Sequence, residues 1–202
     1  KWVYVANSDS VVRFPYETGD LKAGGEAERI VEHIPATHHW TRDVVFSPDG
    51  KTMYVSVGSK SNAEDDPAEA RRARIFEYTP DGKNERVYAY GIRNAVGLAI
   101  HPVTGALWAS VNERDELGDH LVPDYITHIQ DGGFYGWPYY YIGQHTEPRI
   151  KAVHPELKEK VIVPDVLIQS HSASLGMTFY ADEQFPAAYR NVAFAAEHGS
   201  WN

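Results

Sequence analysis

Val44-Val45-Phe46, Ser47-Pro48-Asp49-Gly50-Lys51 and Met53-Tyr54-Val55-Ser56-Val57 follow one another almost without interruption. The outer runs are β-branched and aromatic, which suits a pleated, half-buried surface. Between them, proline presets φ for a tight turn and Asp-Gly supplies its left-handed position. The stretch therefore predicts an antiparallel hairpin. The same grammar recurs outward in both directions. Lys1 to Ala6 alternates, turns at Asn7-Ser8-Asp9-Ser10 and resumes as Val11-Val12-Arg13-Phe14. Ile75-Phe76-Glu77-Tyr78 passes through Thr79-Pro80-Asp81-Gly82 into Glu85 to Tyr90, and Gly97 to Ile100 passes through His101 to Gly105 into Ala106 to Ser110. A looser copy pairs Gly176 to Tyr180 with Asn191 to Ala196 across Ala181 to Arg190.

Strand starts at about Val44, Gly97 and Gly176 are too irregular for a strict solenoid but suit a β-propeller with long loops. At roughly 40–50 residues per blade, a closed ring needs about 250 residues. The 202 residues thus predict an all-β chain of about four blades that does not close a ring alone. Ser59 to Arg74 breaks the strand pattern. It reads as a surface insertion, either part of a binding face or a plain solvated loop.

Composition narrows the function classes. Nineteen Lys and Arg against 28 Asp and Glu give a net charge of −9, and no basic run tracks a phosphate backbone. Nucleic acid is a poor partner. Apolar stretches such as Val161-Ile162-Val163 and Ala193 to Ala196 are far shorter than the roughly 20 residues of a membrane-spanning helix. The absence of cysteine removes disulfides, thiolate zinc sites and thiol nucleophiles together. The chain opens on Lys1 and directly on strand-like residues, so it is expected to be a piece of a longer precursor.

No Gly-Lys-Ser/Thr phosphate loop, Gly-x-Ser-x-Gly elbow, His-Glu-x-x-His helix or triple-glycine dinucleotide turn is present. Chemistry is instead expected where polar segments meet strand ends. These are Gly91-Ile92-Arg93-Asn94, Asn112 to Asp119, and Asp131-Gly132-Gly133-Phe134-Tyr135-Gly136-Trp137-Pro138.

These segments join His39-Trp40-Thr41-Arg42, which reads as a strand opening, Ser47 to Gly50, His101-Pro102, Gly105 to Trp108, Leu121 to Tyr125, His171-Ser172-Ala173 and His198-Gly199-Ser200-Trp201-Asn202. In that order and spacing the set resembles the soluble, pyrroloquinoline-quinone (PQQ)-dependent sugar dehydrogenases, the glucose/sorbosone dehydrogenase family. The segment from Asn112 to Tyr125 and the His-Gly-Ser-Trp-Asn ending look like its sorbosone-type branch. The resemblance implies a six-bladed propeller, with one partial dehydrogenase domain over 1–202 and further blades before and after it.

It also implies a chemistry. Family members hold PQQ and calcium, and a histidine removes the hydroxyl proton of an aldose as hydride passes to the quinone. The sugar is oxidised at its anomeric carbon to a lactone or acid, and an external cytochrome or quinone accepts the electrons. A neutral imidazole is a suitable base near pH 7, and His39 matches that base, also lying against the cofactor. Its neighbour His38 is expected to face the other way, because successive strand residues point to opposite sides and only one of the two can face the axis. Arg93 resembles the arginine that contacts the quinone oxygens, with Asn94 beside it. Without the resemblance, Arg93 reads as an ion pair with Glu113 or Asp115 and Asn94 as a turn former.

Calcium takes backbone carbonyls readily, and the resemblance assigns its ligands to the main-chain oxygens of Glu113 and Arg114. A second, structural ion or merely a solvated acidic loop would account for Asp115, Glu116, Asp119 and Asp124. The aromatics Trp40, Tyr135, Trp137 and Tyr139 to Tyr141 suit either a ring-binding surface or inter-blade packing. His171 and His198 suit either the sugar pocket or ordinary hydrogen bonding. The family works outside the cytoplasm, so the resemblance implies a periplasmic or secreted protein. Two other classes remain open on the same residues: a calcium-dependent propeller hydrolase acting on esters or lactones, and a non-catalytic propeller that binds carbohydrate or protein.

Overall fold

A computed structural model describes residues 1–152 and 154–199. Among the described residues it contains five antiparallel sheets, four of them in series along the chain. The first has the order β1(Trp2–Ala6), β2(Val11–Pro15), β3(Glu28–Val31). The second follows as β4(Val44–Phe46), β5(Met53–Val57), β6(Arg74–Tyr78), β7(Arg86–Tyr90). The third is β8(Ala95–Ile100), β9(Leu107–Val111), β10(Pro123–His128) and, after a long excursion, β13(Val166–Ser170). The hairpin β14(Ser174–Phe179) and β15(Ala193–Glu197) comes last. Within the excursion lies the small hairpin β11(Tyr140–Tyr141), β12(His145–Thr146). Two four-stranded blades flanked by two shorter sheets are the expected propeller segment.

The opening hairpin forms as its sequence dictates, with Val44 opposite Val55 and Phe46 opposite Met53. Strand alternation then decides which face each residue buries. Ile75 packs toward the third sheet with Leu98, Leu107 and Val111, while its neighbour Phe76 packs toward the first with Val11, Val31 and Val55. The second sheet is thus buried on both faces, so a strand such as β5 reads as a nearly continuous apolar run.

Polar side chains stitch successive sheets together. The Asp43 carboxylate accepts the backbone N–H of Leu98 at 2.7 Å, joining β4 to β8. The Ser110 hydroxyl donates to the Leu175 carbonyl, and Asn112 Nδ2 donates to the Ser174 carbonyl at 2.5 Å, joining β9 to β14. Gly97 makes this approach possible, because a Cβ there would lie 2.5 Å from the Leu175 oxygen and 2.9 Å from the Met177 nitrogen.

Two local expectations are corrected. His39 to Arg42 does not open a strand; β4 begins at Val44. The Arg42 guanidinium gathers the carbonyls of Pro35, His39 and Thr41, which removes them from any ladder. The insertion is not a plain solvated loop. Asp66 caps a short 3-10 turn, Pro67–Glu69. Behind it the buried Glu69 carboxylate accepts the backbone N–H groups of Lys60 and Ser61 and the Ser61 hydroxyl.

The registers place Val57, Arg74, Tyr90, Ala95, Val111, Pro123 and Ser170 at one common end of the sheets. The loops 37–43, 58–73, 91–94, 112–122 and 171–173 therefore converge there.

Candidate active site at the converging loops

His39 is half-buried against the end of β5. Its Nδ1 lies 2.9 Å from the Ser59 carbonyl and 3.0 Å from the Ser59 hydroxyl oxygen. The carbonyl can only accept, and the Ser59 hydroxyl spends its own proton on the Ser61 carbonyl at 2.6 Å. Nδ1 must then carry the ring proton, which leaves the Nε2 lone pair available. Burial lowers the imidazole pKa to about 4, reinforced by the positive charge of Arg93. His39 is thus a neutral acceptor over the whole physiological range.

His38 is exposed and adopts a left-handed backbone, φ 59°. The two histidines are therefore separated by a turn rather than by strand alternation. Arg42 holds this turn, with its Nη1 donating to the His39 carbonyl at 2.6 Å.

Gly58 brings His39 and Asn94 together. A Cβ at position 58 would lie 2.3 Å from Asn94 Oδ1 and 2.7 Å from His39 Cβ. Gly58→Ala is expected to leave the fold intact but to push these side chains apart by a few tenths of an ångström or more. Amide and imidazole NMR shifts at residues 39 and 94 would report the change.

Arg93 and Asn94 are both buried. The Arg93 guanidinium donates to the carbonyls of Asn62 at 3.1 Å and Glu113 at 2.7 Å and to Asn62 Oδ1 at 3.1 Å. It makes two longer contacts of 3.4 Å, to the Asn112 carbonyl and to Asp115. The expected ion pair with Asp115 exists, but it is long and belongs to a buried network. Asn94 differs: its Oδ1 is buried and has no hydrogen-bond partner among the described residues. An unmet acceptor of this kind costs on the order of 1–3 kcal/mol, so it marks where a ligand donor fits.

Glu113 and Arg114 have side chains committed to structure. Arg114 is wholly buried; its guanidinium binds the Glu113 carboxylate at 2.9 Å, the carbonyls of Pro138 and Tyr140 at 2.8 Å, and Glu147 at 3.4 Å. Arg149 covers the other side of Glu147. Of these two residues only the backbone oxygens are left to meet a cation. The Glu113 carbonyl is already shared with Arg93, whereas the Arg114 carbonyl has no hydrogen bond among the described residues.

Of the remaining acids, Asp119 is exposed with no hydrogen bond or ion pair among the described residues, and the other three are committed elsewhere. Asp124 is buried and accepts the backbone N–H groups of Glu113 and Ala173; burial raises its carboxyl pKa to about 6. Asp115 pairs with His171 at 3.0 Å and Glu116 with Arg149 at 3.0 Å. Among the described residues no three acidic or histidine side chains converge as a metal cage. His171 also meets the Gly118 carbonyl at 3.1 Å. Burial alone would lower its pKa, but this carbonyl and Asp115 outweigh it and raise it, so His171 is a strut rather than a pocket base. His198 is exposed; Ser200, Trp201 and Asn202 lie outside the described residues.

The aromatics divide as well. Tyr135, Trp137 and Tyr140 are buried packing, while Trp40 is 64% exposed rather than core. Asn62 was not singled out from sequence, yet it is a hub. Its backbone oxygen also accepts Trp137 Nε1 at 2.9 Å, and its side chain binds both the N–H and the carbonyl of Asp115. A cleft of about 560 Å³ lies beyond Trp137, lined by residues 64–74 and 134–139. It contains neither His39, Arg93 nor Asn94. The free imidazole nitrogen and the unmet acceptor lie in the His39 cluster instead.

Residues 4–198 match a family described as Glucose / Sorbosone dehydrogenase. The chain is 32% identical over 174 residues to the aldose sugar dehydrogenase YliI of Escherichia coli, covering 78% of this chain and 45% of that protein. The holo form of the pyranose dehydrogenase PQQ domain from Coprinopsis cinerea superposes with a TM-score of 0.79 at 19% identity, over 98% of this chain and 58% of that one. A calcium structure of a Trichoderma reesei Carbohydrate-Active Enzymes Family AA12 protein gives a TM-score of 0.80 at 17% identity, over 99% and 59%. The chain spans less than half the length of the curated relatives it matches.

Proposed function

Because this chain belongs to the glucose/sorbosone dehydrogenase family, we propose that its parent protein is a quinoprotein oxidoreductase that oxidises an aldose at the anomeric carbon to the lactone or acid. The single observation that carries the reading is the pairing of a neutral, oriented His39 with the unmet Asn94 acceptor at the converging loops. Names of relatives support it. One is an aldose sugar dehydrogenase, and a protein of the same fold is a holo PQQ domain.

The residues fit the two groups this chemistry requires. A tricarboxylated quinone would lie against Arg93 and Asn94, where the guanidinium charge would face its anionic functions and the unmet Asn94 oxygen an N–H. Calcium would take the Arg114 carbonyl, which carries no hydrogen bond among the described residues, and share that of Glu113. When bound, the quinone serves as the two-electron acceptor and the cation as its activating Lewis acid. The chain supplies the rest. His39 Nε2 receives the proton of the anomeric hydroxyl, Ser59 holds the imidazole in that tautomer through Nδ1, and Arg42 fixes the loop beneath it. Arg93, buried and permanently charged, stabilises the negative charge that builds on the acceptor.

A pH dependence follows. The base must be neutral, and burial holds its pKa at about 4, well below the usual 6.5. The acid limb of kcat/KM for the free enzyme is expected near pH 4, with no inflection at 6.5. Between these values the unfolded chain binds a proton that the folded one refuses, so His39 also makes stability fall as pH drops from about 6.5 to about 4. A limb at pH 6–7 that disappears on mutating His39 would contradict the assigned environment.

The parent protein would act in the periplasm or outside the cell and pass electrons to a cytochrome or a diffusible quinone. Dye-linked turnover of the full-length protein, with PQQ and calcium added together or singly, tests the reading. Aldose-dependent dye reduction that needs both is the expected result. Hydrolysis of a lactone without dye reduction would replace it with the hydrolase, and saccharide binding without either activity would leave a binding module.

A further inference from the structure

We propose that the cleft between the insertion and the 134–139 segment is a second binding site, specific for a neutral saccharide ring and independent of the redox centre. It has a volume of about 560 Å³, within the range of small-molecule sites. Asn62 and Trp137, joined by a 2.9 Å hydrogen bond, separate it from His39.

Three polar groups line it unspent. Arg74 begins β6 opposite Tyr90 on β7. Among the described residues, neither the half-buried Arg74 guanidinium nor the Tyr90 hydroxyl has a hydrogen-bond or ion-pair partner, and the same holds for the Glu64 carboxylate. Every other charged group of the wall is committed. Asp65 accepts the Tyr139 hydroxyl at 2.9 Å, Asp66 pairs with Lys60 at 2.8 Å, Glu69 caps the insertion's backbone, and Arg72 reaches Thr37. The spare groups are thus one forked donor, one carboxylate acceptor and one hydroxyl that does either. Adjacent hydroxyls of a sugar ring, each donor and acceptor at once, match this set.

Charge decides against an anion. Four carboxylates and two guanidiniums line the cleft, so an anion meets net repulsion. The two unspent charged groups, Arg74 and Glu64, are of opposite sign, and a neutral polyol can use both. Aromatic walls complete the match. Tyr90 and Phe134 stack with centroids 4.9 Å apart, and Tyr139 is pinned through its hydroxyl. Rigid rings of this kind accept the apolar C–H face of a pyranose at little entropic cost. The same cleft would seat one unit of a longer glycan.

The test is saturation-transfer and titration NMR on the full-length protein without quinone, using methyl glucoside and cellobiose as probes and gluconate as the anionic control. Methyl glucoside has no free anomeric hydroxyl, and the sample holds no oxidant, so failure of the dehydrogenase reading does not affect the outcome. Neutral glycosides are expected to bind with millimolar Kd. Arg74→Ala should weaken binding by about tenfold or more, and Glu64→Gln, on an exposed side chain that does not threaten folding, by several-fold. His39→Asn should leave it unchanged. No binding of either glycoside, tighter binding of gluconate, or binding unaltered in both Arg74→Ala and Glu64→Gln would overturn the proposal.

Discussion

Replacing His39 by asparagine in the full-length protein is expected to lower kcat by about 10²–10⁴-fold, the usual worth of a positioned general base, while cofactor affinity stays within a few-fold of wild type. Asparagine retains an amide donor for the Ser59 carbonyl, which His39 Nδ1 meets at 2.9 Å, so the loop and the Arg42 contacts beneath it should survive. What is lost is the Nε2 lone pair. If the role of His39 were to pack the loop, asparagine would instead leave turnover near normal. Equal losses in quinone affinity and in turnover would mean that the ring serves binding rather than proton removal.

The second large effect is on stability. Arg114→Ala is expected to cost about 3–5 kcal/mol, the range seen when one member of a buried ion pair is removed. It leaves the Glu113 and Glu147 carboxylates buried with fewer counter-charges and the carbonyls of Pro138 and Tyr140 without donors. For a chain of this size that is a fall in Tm on the order of 10 °C. Arg114→Lys should recover only part of it, because an ammonium cannot make four divergent contacts at once. The loop that presents the Glu113 and Arg114 carbonyls would loosen with it. A melting temperature for Arg114→Ala within about 2 °C of wild type would show that the network is not what holds this loop.

Hairpins with local turn chemistry were readable from sequence. Ser47-Pro48-Asp49-Gly50 and Thr79-Pro80-Asp81-Gly82 each bring adjacent strands back on themselves without help from distant residues. Strands paired at long range were not. β10 begins on a proline, which suits a first strand position but gives no strand signal, and its outer partner β13 starts some forty residues later. β3 is four residues long and half charged, so nothing in its pattern distinguishes it from a loop.

The candidate site divides along the same line. His39, Arg93, Asn94, Glu113 and Arg114 were named through resemblance, and the structure brings their loops to one end of the sheets. The residues that make the arrangement work were not. Asn62 reaches Arg93 and Asp115, 31 and 53 residues away, and no periodicity exposes such a contact. Gly58 offered one faint signal, a small residue directly after an apolar strand, but the reason for it is steric and appears only once His39 and Asn94 are placed. Arg42 misled for a related reason. Four residues that look like a strand opening are a loop because one guanidinium collects their carbonyls.

The most direct measurement is anaerobic: titrate PQQ with calcium into the full-length protein, then add an aldose and follow the visible spectrum of the bound quinone. Stoichiometric binding followed by sugar-dependent bleaching, with binding weakened by Asn94→Ala and bleaching slowed by His39→Asn, is the result expected. A quinone that fails to bind, or that stays oxidised in the presence of every aldose offered, would contradict the account.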